Sequence, residues 1–469
     1  MDREHAAALA AELDVPVGIA AILLQRGIQD AEKAHAFLNP TFGQLPSPFL
    51  MKDMSKAVAI LVEAIQRGRR VVVYGDYDVD GATGAAVLVL FLRRLGLTVH
   101  ARQPHRLVHG YGLHRELIPE LEILAPAGVL VTVDCGISNH GPVAAAKEKG
   151  LAVIVTDHHQ PQATLPPADA VLNPLQPGCA FPFKQLAGVG VAFYLAMGLR
   201  SRLNEQEHWQ GREEEMPNLR ELLDLVAMGT VADMVPLLGP NRIFVRAGLD
   251  VLQGAERPGL GCLLETAGIS GRRRLTAEDI GFRLGPRINA AGRTGNPDRA
   301  LELLLTDDMV VARRLAGELE SANRNRQALE EKIANQAMTA AMKFLQAGCR
   351  TLVLQGKEWH SGVLGIVASR LLNRFYRTTI LLTEKEGLLT GSGRSIPEFH
   401  LHHALEDCGD LLERYGGHAN AAGLALRPEN VPVFRERLET KAAQLAAEDL
   451  QPKLLKPRLP VTQTASGGQ

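Results

Sequence analysis

The segment Gly75-Asp76-Tyr77-Asp78-Val79-Asp80-Gly81 places three carboxylates at every second position. Asp and Gly are also common in polar turns. At this density, however, the acids repel one another unless a cation neutralises them. A calcium loop of the EF-hand kind would need a Glu six residues after the glycine, where this chain has Val87, so that chemistry is excluded. Three further motifs carry acids or imidazoles: Val133-Asp134-Cys135-Gly136, Thr156-Asp157-His158-His159, and Asp233 within Gly229 to Leu237. Asp76, Asp78, Asp80, Asp134 and Asp233 with His158 make five carboxylates and an imidazole. That donor set suits a pair of Mn²⁺ or Mg²⁺ ions better than zinc. Two such ions about 3.5–4 Å apart can deprotonate a shared water and stabilise both oxygens of an in-line displacement at phosphorus.

Such a site needs elements that bring the motifs together. Val71-Val72-Val73-Tyr74, Val129 to Val133 and Val153-Ile154-Val155-Thr156 are short β-branched runs, each followed by one of the acidic motifs and separated by helical sequence. Continuous apolar strands alternating with helices predict a parallel α/β sheet covered on both faces. Ligands of such sheets bind at the carboxyl ends of the strands, where these acids fall. Residues 306–348 have no proline and two glycines, and read as a long, charge-rich helix. A second α/β pattern starts at Thr351-Leu352-Val353-Leu354 and ends near residue 446.

Other segments have the chemistry of phosphate binding. Residues 269–299 hold seven arginines against three acids, and Arg283, Arg287 and Arg293 lie with Asn289 among small residues. Guanidinium forks match phosphate oxygens. Arg106, ahead of His109-Gly110-Tyr111-Gly112, is a further candidate. The second α/β region carries Glu358 to Arg370, Gly391-Ser392-Gly393-Arg394-Ser395 and Gly416-Gly417-His418-Ala419-Asn420, glycine-rich stretches that let backbone N–H groups approach an anion closely.

Lys+Arg is 51 and Asp+Glu 52, so any nucleic-acid affinity has to come from local basic patches. Aromatic residues are 4%, too few for an extended base-stacking platform. The five cysteines form no CxxC pair and are odd in number, which argues against a disulfide framework or a structural zinc and fits a reducing cytoplasm. No basic segment leads into a long apolar run at the N-terminus, and the apolar runs are too short to span a bilayer.

Taken together, the motifs at Gly75–Gly81, Val133–Gly136, Asp157–His159 and Val231–Leu237 resemble the four metal motifs of the DHH phosphoesterase superfamily. The triple-aspartate form of the first resembles the RecJ exonucleases. The resemblance covers almost all of residues 10–445. It implies Asp78, Asp80, Asp134, His158 and Asp233 as ligands of two Mn²⁺ or Mg²⁺ ions, with Asp76 beside them, His159 facing the phosphate and Asp157 orienting His158. It further implies that Ser392, Arg394 and His418 contact the nucleic-acid backbone or its terminal phosphate.

The expected organisation is an N-terminal helical region over 1–40, a parallel-sheet DHH domain over 41–305, a connecting helix over 306–348 and a smaller α/β DHH-associated domain over 349–446. A tail over 447–469 follows, without the oligonucleotide-binding barrel that RecJ proteins usually carry. The expected activity is 5′→3′ hydrolysis of single-stranded DNA to 5′-mononucleotides in recombination and repair, by a cytoplasmic monomer with no membrane association. The resemblance adds a single-strand-binding protein and a helicase as partners. The alternative is a phosphodiesterase of the same superfamily acting on short oligoribonucleotides or linear dinucleotides.

Overall fold

The computed structural model describes residues 3–452 apart from Leu107 and Gly295. Two compact units divide the chain between Asn323 and Arg324.

The larger unit is built on a five-stranded sheet in the order β2-β1-β3-β4-β5, all parallel. The strands are β1 Val71–Gly75, β2 Val99–Arg102, β3 Val129–Val133, β4 Ala152–Thr156 and β5 Ala170–Leu172. Their side chains alternate between two cores. Val71, Val73, Val129, Val131 and Val133 pack with the helices Met54–Arg67, Val79–Arg94, Gly188–Glu205 and Leu223–Ala232. Val72, Tyr74, Leu130 and Val153 pack on the other face with Ile118–Leu124 and His140–Glu148. Burial on both faces explains why the strands read as unbroken apolar runs. The strand order reverses between β1 and β3, and that switch point opens a crevice at the carboxyl ends of the strands. Three small helices, Arg3–Leu13, Val17–Gln25 and Ala31–Leu38, form a satellite cluster around Leu9, Ala20, Leu23 and Ala34.

The second unit has a mixed sheet in the order β6-β7-β8-β10-β9. Its strands are β6 Thr351–Gly356, β7 Thr378–Lys385, β8 Leu388–Arg394, β9 Leu412–Gly417 and β10 Ala421–Leu426. Only β6 and β7 are parallel; β7-β8, β8-β10 and β10-β9 are antiparallel.

One uninterrupted helix, Met309–Gln346, crosses the division. It is more than a connector. Ala312, Leu315, Ala316 and Leu319 belong to the first unit's core, and Ile333, Ala334, Ala337 and Ala341 to the second's. Residues 447–450 form a 3-10 turn with Leu450 in the second core; the expected tail lies, from residue 453 on, outside the described residues.

Candidate metal centre

The acids at the strand ends are set in a row by the sheet itself. The backbone N–H of Asp76 donates to Val133 O at 3.1 Å, that of Asp134 to Thr156 O at 3.0 Å, and that of Asp157 to Leu172 O at 3.0 Å. Each acid therefore makes the last rung of its own ladder. Asp134 then turns into the left-handed region at φ 59, which costs a residue with a β-carbon about 1–3 kcal/mol and is retained where function needs it.

Asp78 and Asp80 occupy the start of the Val79–Arg94 helix. Asp78 caps it, its Oδ1 accepting from Gly81 N at 3.0 Å, and Asn289 Oδ1 accepts from Val79 N at 3.2 Å. Asp80 accepts from Gly188 N at 2.6 Å and Val189 N at 2.8 Å. These are the first N–H groups of the Gly188–Glu205 helix, unsatisfied by the helix and favourable to negative charge. Asp233 comes from a helix rather than from the sheet. It lies at the C-terminus of the Leu223–Ala232 helix, its N–H donating to Gly229 O at 2.9 Å. A helix C-terminus disfavours a carboxylate, so Asp233 needs a cation more than its neighbours do.

His158 joins the groups. Its Nε2 lies 3.1 Å from Asp134 Oδ1, 3.6 Å from Asp233 Oδ2 and 3.8 Å from Asp80 Oδ2. Three overlapping triads have their ligand atoms within 4.8 Å of one another: Asp76-Asp78-Asp134, Asp80-His158-Asp233 and Asp134-His158-His159. Asp76 Oδ1, Asp134 Oδ1, Asp233 Oδ2 and His158 Nε2 are all buried without a hydrogen-bond partner. Orphaned buried polar atoms cost roughly 1–3 kcal/mol each, and oxygen donors with one imidazole fit Mn²⁺ or Mg²⁺. The residues therefore fit the divalent ions expected of them.

The electrostatics agree. Burial, then the charge of Asp78, lifts the Asp76 carboxyl well above its ordinary range. Burial, then Asp233, does so for Asp80, and burial, then Asp80, for Asp134. Asp233 is raised to about 7 by burial and then by Asp78. His158 is pushed down to about 4 by burial and by the charge of His159, so at neutral pH its ring is uncharged and can act as a ligand.

Asp157 does not orient His158 as expected. It is fully buried, and its Oδ1 accepts from His159 Nδ1 at 2.8 Å and from the backbone N–H groups of His158 and His159 at 2.7 and 3.0 Å. Its Oδ2 accepts from Ile137 N at 3.0 Å. The ring that Asp157 holds is therefore that of His159. Burial opposes protonation of that ring, but the bond to Asp157 and its charge outweigh burial and raise the imidazole to about 9.

The DHH family, N-terminal domain, matches residues 70–230, and the DHHA1 domain matches residues 343–444. The single-stranded-DNA-specific exonuclease RecJ of Escherichia coli (strain K12) is 42% identical over 465 residues, 96% of this chain and 78% of that protein. The chain belongs to the RecJ family. RecJ of Thermus thermophilus in complex with Mn²⁺ superposes with a TM-score of 0.81 at 38% identity, covering 95% of this chain and 62% of that one. An exonuclease RecJ bound to manganese superposes at 0.72 with 40% identity, covering 87% and 97%.

The other residues expected at a RecJ site are distributed more widely. Arg106 lies with its guanidinium 4.9 Å from the centroid of the Tyr77 ring, and the charge of Arg293 also bears on the Tyr77 hydroxyl. Asn289 braces the first motif, as above. Arg287 pairs with Glu320, 2.7 Å from Nε to Oε2, and Arg283 lies 3.7 Å from Asp279. In the second unit Arg394 stands opposite Ala421 on β10, whose carbonyl accepts from His418 N at 2.8 Å, and Ser392 stands opposite Gly423. Gln103, whose Nε2 donates to Asp76 O at 2.6 Å, and the Gly188 and Val189 amides were not legible as site groups. Their contacts link positions up to about a hundred residues apart.

Glycine at 188 is required by this packing. A Cβ there would lie 2.7 Å from Asp134 Cβ and 2.8 Å from its Oδ1. Gly188→Ala is expected to displace Asp134 and lower kcat by about 100-fold, the scale of a 1 Å misplacement. Steady-state cleavage kinetics check this; an unchanged kcat would show that the Asp134 position is not critical.

Proposed function

We infer that the chain hydrolyses phosphodiester bonds of single-stranded DNA, working 5′→3′ and releasing 5′-mononucleotides, in recombination and repair. The observation that carries this reading is the convergence of five carboxylates and His158 at the switch point of a sheet in a RecJ-family chain. Asp78, Asp80, Asp134, His158 and Asp233, with Asp76 completing the wall, would hold the ions. When bound, these supply activation of water and neutralisation of charge at phosphorus. The chain's own groups do the rest. The helix N-terminus at Gly188 and Val189 fixes Asp80. His159, cationic at neutral pH, presents positive charge to a phosphate oxygen.

Ser392, Arg394 and His418 are read as contacts to the substrate backbone. The Arg394 guanidinium lies over Gly365, in the first turn of the Leu364–Phe375 helix, where a Cβ would be 2.9 Å from Nη2. An arginine beside a helix N-terminus is an environment for a phosphate. Arg394→Ala is therefore expected to raise KM for an oligonucleotide about tenfold or more, while Mn²⁺ affinity stays unchanged. Phosphate contacts also set the salt slope, which should fall by about one unit. Fluorescence anisotropy across a salt series, with calorimetry of Mn²⁺ binding, separates the two. Equal losses in both would mean Arg394 acts on the metal site.

A single-strand-binding protein and a helicase as partners rest on family resemblance, and a cytoplasmic location on five cysteines without a CxxC pair; the chain is read as a monomer. No single helix among the described residues is long and apolar enough to cross a membrane.

A further inference from the structure

The segment His109-Gly110-Tyr111-Gly112, noted in the sequence only as a neighbour of Arg106, has no part in the site as described so far. It forms a strap across the ends of β1 and β3. Tyr74 Oη donates to Gly112 O at 3.0 Å, and Leu113 N donates to Asn139 Oδ1 at 3.2 Å. Gly112 has φ 92, and a Cβ there would lie 2.9 Å from that same Asn139 oxygen, so the strap is fixed at close quarters. It delivers the Tyr111 hydroxyl to a point between two functional residues. Tyr111 Oη donates to the backbone carbonyl of Asp134 at 3.0 Å and lies 3.0 Å from His159 Nδ1. The two rings meet edge to face, with centroids 5.3 Å apart.

The donor assignment follows from Asp157. Its carboxylate only accepts, and its Oδ1 is 2.8 Å from His159 Nδ1, so Nδ1 carries the proton. That N–H is shared between Asp157 Oδ1 and Tyr111 Oη, whose own proton goes to Asp134 O. Nε2 of His159 is left as the group that can face a substrate phosphate. The same hydroxyl pins the carbonyl of Asp134, the residue held in left-handed backbone.

We propose that Tyr111 is a positioning residue: its hydroxyl fixes the orientation of the His159 ring and the backbone turn at Asp134. The proposal rests on the nuclease reading above. Partners of this outer kind contribute about 10–100-fold to activity when removed.

Tyr111→Phe keeps the ring and loses only the hydroxyl. With Mn²⁺ and a single-stranded oligonucleotide, it should lower kcat 10–100-fold with KM within twofold of the parent. In a double-mutant cycle, Tyr111→Phe should cost less once His159→Ala is present, because the share of its effect that runs through the His159 ring is then already lost and only the share through the Asp134 carbonyl remains. A second readout needs neither metal nor activity. In metal-free protein, ring proton and nitrogen signals of His159 should report a single fixed ring in the parent and a shifted, exchange-broadened ring in Tyr111→Phe. Full kcat in Tyr111→Phe, additive losses in the cycle, or an unchanged His159 ring spectrum would each overturn the proposal. A parent protein inactive on single-stranded DNA would overturn the nuclease reading, and the ring spectrum would still decide the role of Tyr111.

Discussion

Asp134→Ala is expected to lower phosphodiester cleavage at least about 1,000-fold, several kcal/mol of transition-state stabilisation. Asp134 takes part in two of the three overlapping ligand triads, and its Oδ1 is 3.1 Å from His158 Nε2. His158 is the other residue shared by two of the triads. Neutralising the same residue with its shape kept should have the opposite sign on stability when metal is absent. Asp134 is buried among Asp76, Asp78, Asp80 and Asp233, and its Oδ1 has no hydrogen-bond partner. In chelator, Asp134→Asn should therefore be more stable than the parent by about 1 kcal/mol, as for other strained functional sites. Cleavage assays and chelator melts on the same two proteins test both halves. Cleavage within tenfold of the parent would contradict the ligand assignment. A destabilised Asp134→Asn in chelator would contradict the account of the repelling cluster.

Removing the metal should abolish activity, and restoring it should stabilise the fold. An ion that binds only the folded state adds about 2.7 kcal/mol at a concentration 100-fold above its Kd. Here that gain comes from neutralising carboxylates that burial and mutual repulsion hold well above their ordinary range. Denaturant melts at rising Mn²⁺ should show stability climbing with the logarithm of metal concentration. In Asp134→Ala the climb should shrink or vanish. Activity that survives exhaustive chelation, or melts indifferent to Mn²⁺, would contradict the two-ion reading.

Much of the centre was legible because its acids directly follow three buried apolar strands. A strand of Val and Ile in a doubly covered sheet has one available reading, and the residue after it falls at the ligand-binding end. Asp76, Asp134 and His158 were placed by that argument. Asp233 was not, because the Leu223–Ala232 helix is buried nearly throughout and its apolar sequence shows no helical periodicity to distinguish it from a strand. β2 and β5 escaped for the opposite reason. They have four and three residues, and β2 reads Val-His-Ala-Arg, an edge strand with little apolar signal. The partner of Asp157 was misjudged because adjacent histidines offer no periodicity; only the turn after β4 decides which ring swings back onto the carboxylate. Arg287 looked available in the sequence and is engaged by Glu320 on the long helix, a pairing that tertiary packing alone reveals. In the second unit two of the three glycine-rich stretches proved to be β-strand and hairpin, Gly391 and Gly393 lying on β8 against Leu382 and Ile380, while Glu358 to Arg370 runs into the Leu364–Phe375 helix.

The central claim is that this chain is a metal-dependent exonuclease for single-stranded DNA that starts at the 5′ end. It is tested most directly with one oligonucleotide labelled at the 5′ or the 3′ terminus, offered single-stranded, as blunt duplex, and beside a linear dinucleotide, with Mn²⁺ or with chelator. The expected result is release of the 5′ label as a mononucleotide at the earliest times, 3′-labelled fragments that shorten progressively, an intact duplex and no reaction in chelator. Shortening from the 3′ end, or efficient cleavage of the dinucleotide with the long strand untouched, would contradict it.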